Sequence, residues 1–385
     1  MSRLPVIVSF GGVNPAGRSS LHHGYRRLVM EKLSVEEKNK TLSSLRALMN
    51  KSGENSCTDK WILQHSLIRK IEDNLFNTEE ILVHRKTAFS AKQGETTAFL
   101  LKKNQLPTTL PSNWKIKKQD DGLYDVEVHG ELNVLLPDTI SSKVRSAGQL
   151  PTGFDPAKLY QSRSHPRGLQ LTIFAASDAV SSLGINWEQV KNHVPPDQIS
   201  VYASSAMGQL DSNGSGGLLQ AALQGKRTTS KNLPLGLAEM TADFVNAYVL
   251  GNVGTTGANI GACATFLYNL RQGINDIKSG KYRVAIVGAS EAPLTPEVIE
   301  GYRKMGALAE DEALAKIDRV ETKNVNHRHA CRPFGDNCGF TLSEGSQFII
   351  LFDDALALEL GAEIYGSVAD VFVNADGFKK SIPGP

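Results

Sequence analysis

The chain has 385 residues, of which 41% are hydrophobic and 21% are charged. That length fits one large domain or two ordinary ones, and the composition excludes disordered and fibrous proteins. The 42 Lys and Arg residues nearly balance the 40 Asp and Glu residues, which argues against nucleic-acid binding as the main role. No apolar run reaches the ~18 residues that span a membrane, and the four scattered cysteines cannot form a disulfide scaffold. We therefore expect a cytoplasmic protein without a membrane segment.

The first 150 residues of the chain change in polarity along their length. Residues 4–10 are apolar and precede a loop rich in turn formers, which predicts a strand, and a helix is predicted from Ser19 or Ser20 through Leu28. From 34 to 150 the sequence becomes more polar, with a capping-box spacing that predicts a helix over 34–49 and partial alternation that predicts a strand over 124–136. Nothing in 34–150 has a catalytic pattern, so we interpret it as an inserted or family-divergent subdomain.

From Gly153 onward, strands and helices alternate. The predicted elements are a helix over 168–183, a strand over 199–203, a helix over 237–248, a long helix after Cys263 that ends near Ser279, and a strand over 283–287. Alternation of this kind predicts an α/β fold with parallel strands and helical crossovers.

Cys263 lies where the strand pattern gives way to the long helix, between Gly261-Ala262 and Ala264-Thr265. The unpaired N–H groups and the positive dipole end of a helix N-terminus stabilise a thiolate, which is the nucleophilic form of cysteine. The small neighbouring residues would admit a substrate carbonyl and leave the backbone N–H of Cys263 available to an oxyanion. A packed core thiol is the alternative, since free cysteines are often buried.

The residues around Cys263 follow, in order, the motifs of one enzyme family. From about 235 to 383 the chain resembles the β-ketoacyl synthases, the condensing enzymes of fatty-acid and polyketide assembly. The matching residues are Gly261-Ala262-Cys263, Gly288-Ala289-Ser290-Glu291, Thr295-Pro296, Ala307-Leu308, Arg332-Pro333-Phe334, Gly339-Phe340, Glu344-Gly345 and Asp376.

This resemblance implies a thiolase-like α/β fold, with layers in the order α-β-α-β-α, and a homodimer. The chain would hold the first half of that fold and the opening of the second. The expected parts are the first strand and helix at 1–33, the subdomain at 34–150, the rest of the first half at 151–360, and the start of the second half at 361–385.

The resemblance also implies a ping-pong reaction without cofactor or metal. Cys263 would take an acyl group from an acyl carrier protein or coenzyme A thioester, and a malonyl thioester would then lose carbon dioxide and attack that acyl group. By positional match, Met207 would close the acyl pocket, Tyr302 would line it, and Ser381 would contact the thioester arm. Ordinary core packing for Met207 and Tyr302, and turn chemistry for Ser381, are the alternatives.

One departure from the family concerns the condensation step. The family uses two histidines and a lysine there, and the histidine motifs lie beyond the region of Asp376. None of the nine histidines of this chain lies in such a motif. We therefore expect the chain alone to keep the nucleophile but not to condense.

Several other interpretations remain open. His327, His329, Cys331 and Cys338 have a spacing that could ligate zinc, although a solvated loop is favoured. The basic stretch 115–118 is expected to be a solvated face and could receive an acidic carrier protein. The rival functions are a thiolase-type acyltransferase and a non-condensing scaffold such as the chain-length partner of polyketide systems, which typically lacks the cysteine.

Overall fold

The computed structural model of the chain describes residues 3–51, 57–92, 95–162, 164–375 and 377. The chain divides into two compact units. Unit 1 comprises Met1–Phe76 and Lys143–Pro385, and unit 2 comprises Asn77–Ser142. Among the described helices, none combines the length and the apolar character that crossing a membrane requires.

The main sheet of unit 1 is mixed. Its strands are β1 (Pro5–Asn14), β2 (Gly17–Arg18), β10 (Ile199–Ser204), β11 (Thr255–Gly257), β12 (Val284–Glu291), β13 (Gly345–Asp353) and β14 (Gly366–Ser367). A separate two-stranded sheet pairs β3 (Ile68–Lys70) with β9 (Ser146–Gly148). The order across the main sheet is β11-β10-β12-β13-β1-β14, with β2 paired to β1.

The prediction of parallel strands is confirmed for β10 with β11 and β12. The strand β13, which was not predicted from sequence, runs antiparallel to both β12 and β1. The register explains the difference. Glu291, at the end of β12, lies opposite Gly345, at the start of β13. The long connection between them therefore begins and ends at the same end of the strands, so β13 runs in the direction opposite to β12.

The helices of unit 1 vary from single turns to four turns. They are α1 (His23–Leu28), α2 (Val35–Leu48), α3 (Asp59–Gln64), α4 (Arg167–Ser181), α5 (Trp187–His193), α6 (Ser215–Gln220), α7 (Asn232–Leu235), α8 (Met240–Phe244), α9 (Thr265–Lys278), α10 (Pro296–Lys304), α11 (Asp311–Asp318) and α12 (Asp354–Glu359).

Two of these helices cover opposite faces of the sheet. Val284 and Ile286 of β12 belong to the core cluster that includes Ala175 and Ala179 of α4. The alternate residues, Ala285 and Val287, pack with Leu270, Ile274 and Ile277 of α9. Because side chains alternate along a strand, β12 is apolar on both faces and buried between two helical layers.

Unit 2 consists of β strands. They are β4 (Ile81–Ser90), β5 (Thr96–Lys102), β6 (Trp114–Lys118), β7 (Leu123–His129) and β8 (Glu131–Ile140). β4 pairs with β8 along its whole length, and β7 lies between β5 and β6. The single strand predicted over 124–136 is wrong, because Gly130 adopts φ +83° and divides the segment into β7 and β8.

Unit 2 lies within the predicted subdomain 34–150, whose flanks 34–76 and 143–150 belong to unit 1. The boundaries given by sequence therefore stay a prediction. The helix predicted over 237–248 is present with shifted bounds: α8 begins at Met240 and continues directly as a π-helix over Val245–Leu250.

Candidate active site

Parallel strands end at the same edge of the main sheet, and the candidate residues follow those ends. β10 ends at Ser204, β11 at Gly257 and β12 at Glu291. Met207 comes three residues after β10, and Cys263 comes six residues after β11. The topology therefore gathers Met207, Cys263 and Glu291 at one edge, where α/β proteins commonly form their sites.

Cys263 occupies a tight turn that runs directly into α9. The turn is a 3-10 turn over Ala262–Ala264, and Ala262 has φ +50°, a left-handed conformation that is uncommon outside glycine. The Thr265 hydroxyl donates to the Ala262 carbonyl at 2.7 Å and accepts from the Gly261 N–H at 3.1 Å. The Cys263 side chain is exposed. The predicted location at a helix start is confirmed and a packed core thiol is excluded, while the role of Cys263 as nucleophile stays a prediction.

A buried amide, Asn269, fastens the loop before Cys263 to the sheet. Its Oδ1 accepts from the Asn259 backbone N–H at 3.0 Å, and its Nδ2 donates to the Ser204 hydroxyl at 2.9 Å and to the Gly288 carbonyl at 3.1 Å. The Ser204 hydroxyl in turn donates to the Asn259 carbonyl. Asn269 is 0% exposed, so one side chain links the loop before Cys263 to both β10 and β12.

Sequence reasoning missed this role of Asn269. The only available signal is its place on the inward face of α9, where position 269 is followed by Gly273 and Ile277 at four-residue steps. A polar residue on such a face must find partners inside the protein, because an unpaired buried amide is costly.

Glu291 and Tyr302 are the ionisable candidate residues near the ends of the parallel strands. The Glu291 carboxylate accepts from the backbone N–H groups of Ala206 and Met207, and burial raises the pKa of Glu291 although these bonds favour its charged form. Burial also raises the pKa of Tyr302, with further contributions from negative charge on Cys263 and on Glu291. The Tyr302 hydroxyl is therefore within electrostatic reach of both groups.

A cavity of about 510 Å³ opens next to the Cys263 turn. Its lining residues are Gly261, Ala262, Ala264, Leu267, Tyr268, Phe372, Val373, Asn374 and Ala375. Ser381 and Asp376, both named from sequence, lie outside the described residues.

The zinc alternative finds no geometric support in the described part of the chain. No group of three or more His, Cys, Asp or Glu residues there could hold a metal ion. His327 instead shares a 2.9 Å hydrogen bond between its Nδ1 and the Ser146 hydroxyl, and Arg332 pairs with Asp318 at 2.7 Å.

The basic stretch 115–118 forms most of β6. The register places Lys115 directly opposite Glu127 and Lys117 opposite Asp125 on β7. Cross-strand pairing of opposite charges weakens the case for a purely positive docking face here.

With a thiolase-like α/β fold and an exposed cysteine that opens a helix, the chain has the features of a condensing enzyme. A family model described as "Beta-ketoacyl synthase, N-terminal domain" matches residues 87–355. The chain therefore belongs to the beta-ketoacyl synthase family.

One relative is similar over the whole of this chain. "Beta-ketoacyl-[acyl-carrier-protein] synthase FabY" of Pseudomonas aeruginosa is 49% identical over 405 residues, which cover 100% of this chain and 64% of the relative. The crystal structure of the noncanonical ketosynthase FabY from P. aeruginosa superposes with a TM-score of 0.95 and covers 100% of this chain and 63% of that one. This chain thus spans somewhat less than two thirds of the length of that relative.

More distant proteins share part of the sequence or the fold. "3-oxoacyl-[acyl-carrier-protein] synthase 2" of Staphylococcus aureus is 26% identical over 273 residues, which are 70% of this chain and 59% of the relative. A beta-ketoacyl synthase from Burkholderia phymatum shares the fold with a TM-score of 0.56 at 16% identity, over 95% of this chain and 63% of that one.

Proposed function

We propose that this chain carries the acyl-accepting nucleophile of a β-ketoacyl synthase of fatty-acid or polyketide biosynthesis. The proposal rests above all on Cys263, an exposed thiol in a tight turn at the start of α9, in a chain of the beta-ketoacyl synthase family. Among the described residues, no other cysteine begins a helix at the carboxyl edge of the parallel strands.

The proposed reaction starts with acyl transfer. The Cys263 thiolate attacks the carbonyl of an acyl thioester, the new Cys263 thioester forms, and the donor thiol leaves and takes up a proton. In the second step a malonyl thioester loses carbon dioxide, its carbanion attacks the Cys263 thioester, and the thiolate is released. The residues of this chain do not include the family's histidine motifs for this step, so the first step is the one assigned to this chain's own side chains.

The surrounding residues have proposed roles in the same site. Met207 and Tyr302 would bound the acyl chain, and Ser381 would contact the thioester arm. The proximity of Tyr302 to Cys263 and Glu291 supports its role, and the Glu291 contact with the Met207 N–H supports that of Met207.

The proposed partners are an acyl carrier protein or coenzyme A as acyl donor, a malonyl thioester, and a second copy of the chain in a homodimer. The names of the relatives, a beta-ketoacyl-[acyl-carrier-protein] synthase and a 3-oxoacyl-[acyl-carrier-protein] synthase, support the carrier protein. A cytoplasmic location belongs to the same proposal. All four cysteines are free, as is usual in a reducing compartment.

Acyl transfer can be tested on the intact chain by mass spectrometry. After incubation with acyl-coenzyme A and with acyl carrier protein loaded with the same acyl group, we expect a mass gain of one acyl group. The gain should disappear in Cys263→Ala and persist in Cys331→Ala, because Cys331 is also exposed and controls for non-specific transfer. Absence of any gain, or a gain that survives in Cys263→Ala, would refute the transferase and favour the scaffold.

A further inference from the structure

The turn that follows β10, residues 205–208, is held by hydrogen bonds at its end and at its middle. At its far end the Gly208 carbonyl accepts from the Gly168 N–H at 2.7 Å, and the two main chains touch so closely that a Cβ on Gly208 would lie 2.9 Å from Gly168 Cα. The Gly208 N–H also donates to the Ser205 hydroxyl at 2.7 Å. The ends of the turn are thus fixed by β10 and by the start of α4.

The middle of the turn is held by Glu291. One carboxylate oxygen accepts from the Ala206 N–H at 2.8 Å and the other from the Met207 N–H at 2.7 Å. The Ser205 hydroxyl hydrogen-bonds to the same carboxylate. Two consecutive peptide N–H groups therefore depend on two oxygens of a single half-buried side chain.

This turn adjoins the loop that leads to Cys263, the proposed nucleophile. Ser204, which precedes it, donates to the Asn259 carbonyl in the loop before Cys263. Burial raises the pKa of Tyr302, and charge on Cys263 and on Glu291 adds to this effect. Because the proposed function assigns Met207 to the acyl pocket, a shift of Met207 would change the space that an acyl group on Cys263 must enter.

We propose that Glu291 is a positioning residue that holds the Ala206–Met207 turn beside Cys263 and so determines which acyl chain lengths the thiol accepts. This inference rests on the proposed function for the existence of an acyl chain on Cys263. It goes further in assigning the control of chain length to a carboxylate that does not touch the substrate.

The chemistry of the carboxylate makes the inference specific. A carboxylate accepts at both oxygens, whereas the amide of Gln accepts at one and donates at the other. Glu291→Gln keeps the size of the side chain but leaves one of the two N–H groups facing another donor. The flexible Met207 side chain should then move away from its native position, which makes room for longer chains.

The test uses the full chain and two iodoacetamides that carry a hexyl or a dodecyl tail. Rates of Cys263 alkylation are measured by peptide mass spectrometry, and the ratio of dodecyl to hexyl rate reports the room for a long chain. We expect Glu291→Gln to raise this ratio by about tenfold, the scale on which an apolar pocket discriminates length. The exposed carboxylate variant Glu297→Gln, which loses only a contact with Gln220, should leave it unchanged.

A double-mutant cycle separates positioning from a general loss of structure. Met207→Ala should raise the ratio by itself, and adding Glu291→Gln to it should have no further effect, because both changes act through Met207. If Glu291→Gln does not fold, Glu291→Asp serves instead, since its shorter carboxylate cannot reach both N–H groups. An unchanged ratio, or effects of the two substitutions that simply add, would overturn the inference.

Alkylation does not require acyl transfer, so the two proposals can fail separately. Chains that respond as expected to the iodoacetamides but take no acyl group from thioesters would refute the proposed function alone. Acylation of Cys263 with the same alkyl-chain ratio in wild type and Glu291→Gln would refute the role of Glu291 alone.

Discussion

Asn269 shows how much one buried amide contributes to this site. Its side chain satisfies the Asn259 N–H, the Ser204 hydroxyl and the Gly288 carbonyl, which lie on three different segments of the chain. A side chain with this set of bonds determines where the loop before Cys263 lies relative to the sheet. The position of the thiol therefore depends on a residue six places further along the helix.

Substitution of Asn269 by Ala should destabilise the protein and slow acylation of Cys263. Each buried group left without a partner costs about 1–3 kcal/mol, so we expect a loss of about 3 kcal/mol in the free energy of unfolding. Urea unfolding and the rate of acyl transfer measure the two effects. Asn275→Ala, at an exposed position of the same helix, should change the free energy of unfolding by less than about 0.5 kcal/mol. Equal losses in the two variants would contradict this role of Asn269.

At the residue scale, the sequence predicted what depends on local pattern. The place of Cys263 followed from the change between strand and helix periodicity. The partners of Asn269 and Glu291 did not, because Asn259, Ser204 and Met207 come near them only after distant strands pair. The left-handed Ala262 also escaped prediction, since alanine rarely adopts that conformation.

Among the elements, α9 lies unusually close to β12. A Cβ on Gly273 would come within 2.8 Å of Val287 Cγ2 and 3.3 Å of Ala285 Cβ. Both strand residues are fully buried, so neither can move aside easily. Close approach at Gly273 thus fixes the distance from β12 of the helix that begins just after Cys263.

The same substitution should therefore have opposite effects in two helices. Gly273→Ala should lower the free energy of unfolding by about 1–3 kcal/mol through overpacking. Gly301→Ala in α10 should raise it by about 0.5–1 kcal/mol, because a Cβ there meets nothing within 4 Å. Urea titration of both variants measures the two changes in the free energy of unfolding. Stabilisation by Gly273→Ala would show that α9 is free to lift from the sheet.

Elements with a complete local signal were predicted well. The capping box was expected from Ser34 and Glu37, and both of its bonds form, with Glu37 N–H donating to the Ser34 hydroxyl and Ser34 N–H to the Glu37 carboxylate. The helix predicted over 237–248 is present, but its second half is a π-helix over Val245–Leu250, which the sequence pattern did not indicate. The strand β13, which closes the core between β1 and β12, was not predicted at all.

At the scale of the whole molecule, the chain separates into two units with different sources of stability. The hydrophobic clusters of the described residues draw only on unit 1. In unit 2 the fully buried Val126 and Val128 lie on the central strand β7. The direction of β13 and the extent of unit 2 could not be predicted, since both are set by pairing between distant segments.

Replacement of residues 77–142 by a short Gly-Ser linker should leave unit 1 folded. The ends of unit 2 are adjacent, with the Ser142 N–H donating to the Thr78 carbonyl at 2.7 Å, so a few residues suffice to join them. We expect the rate of Cys263 alkylation by iodoacetamide to stay within about twofold of wild type. A broad, non-cooperative thermal transition in the shortened chain would instead show that unit 1 needs unit 2 to fold.

The adjacency of Thr78 and Ser142 also has a practical meaning. Because the two ends of this segment are joined by a hydrogen bond, the chain leaves unit 1 and returns to it at the same point. Any foreign protein with similarly close termini, such as a fluorescent reporter, could be grafted there to follow or immobilise the protein without stretching the chain on either side.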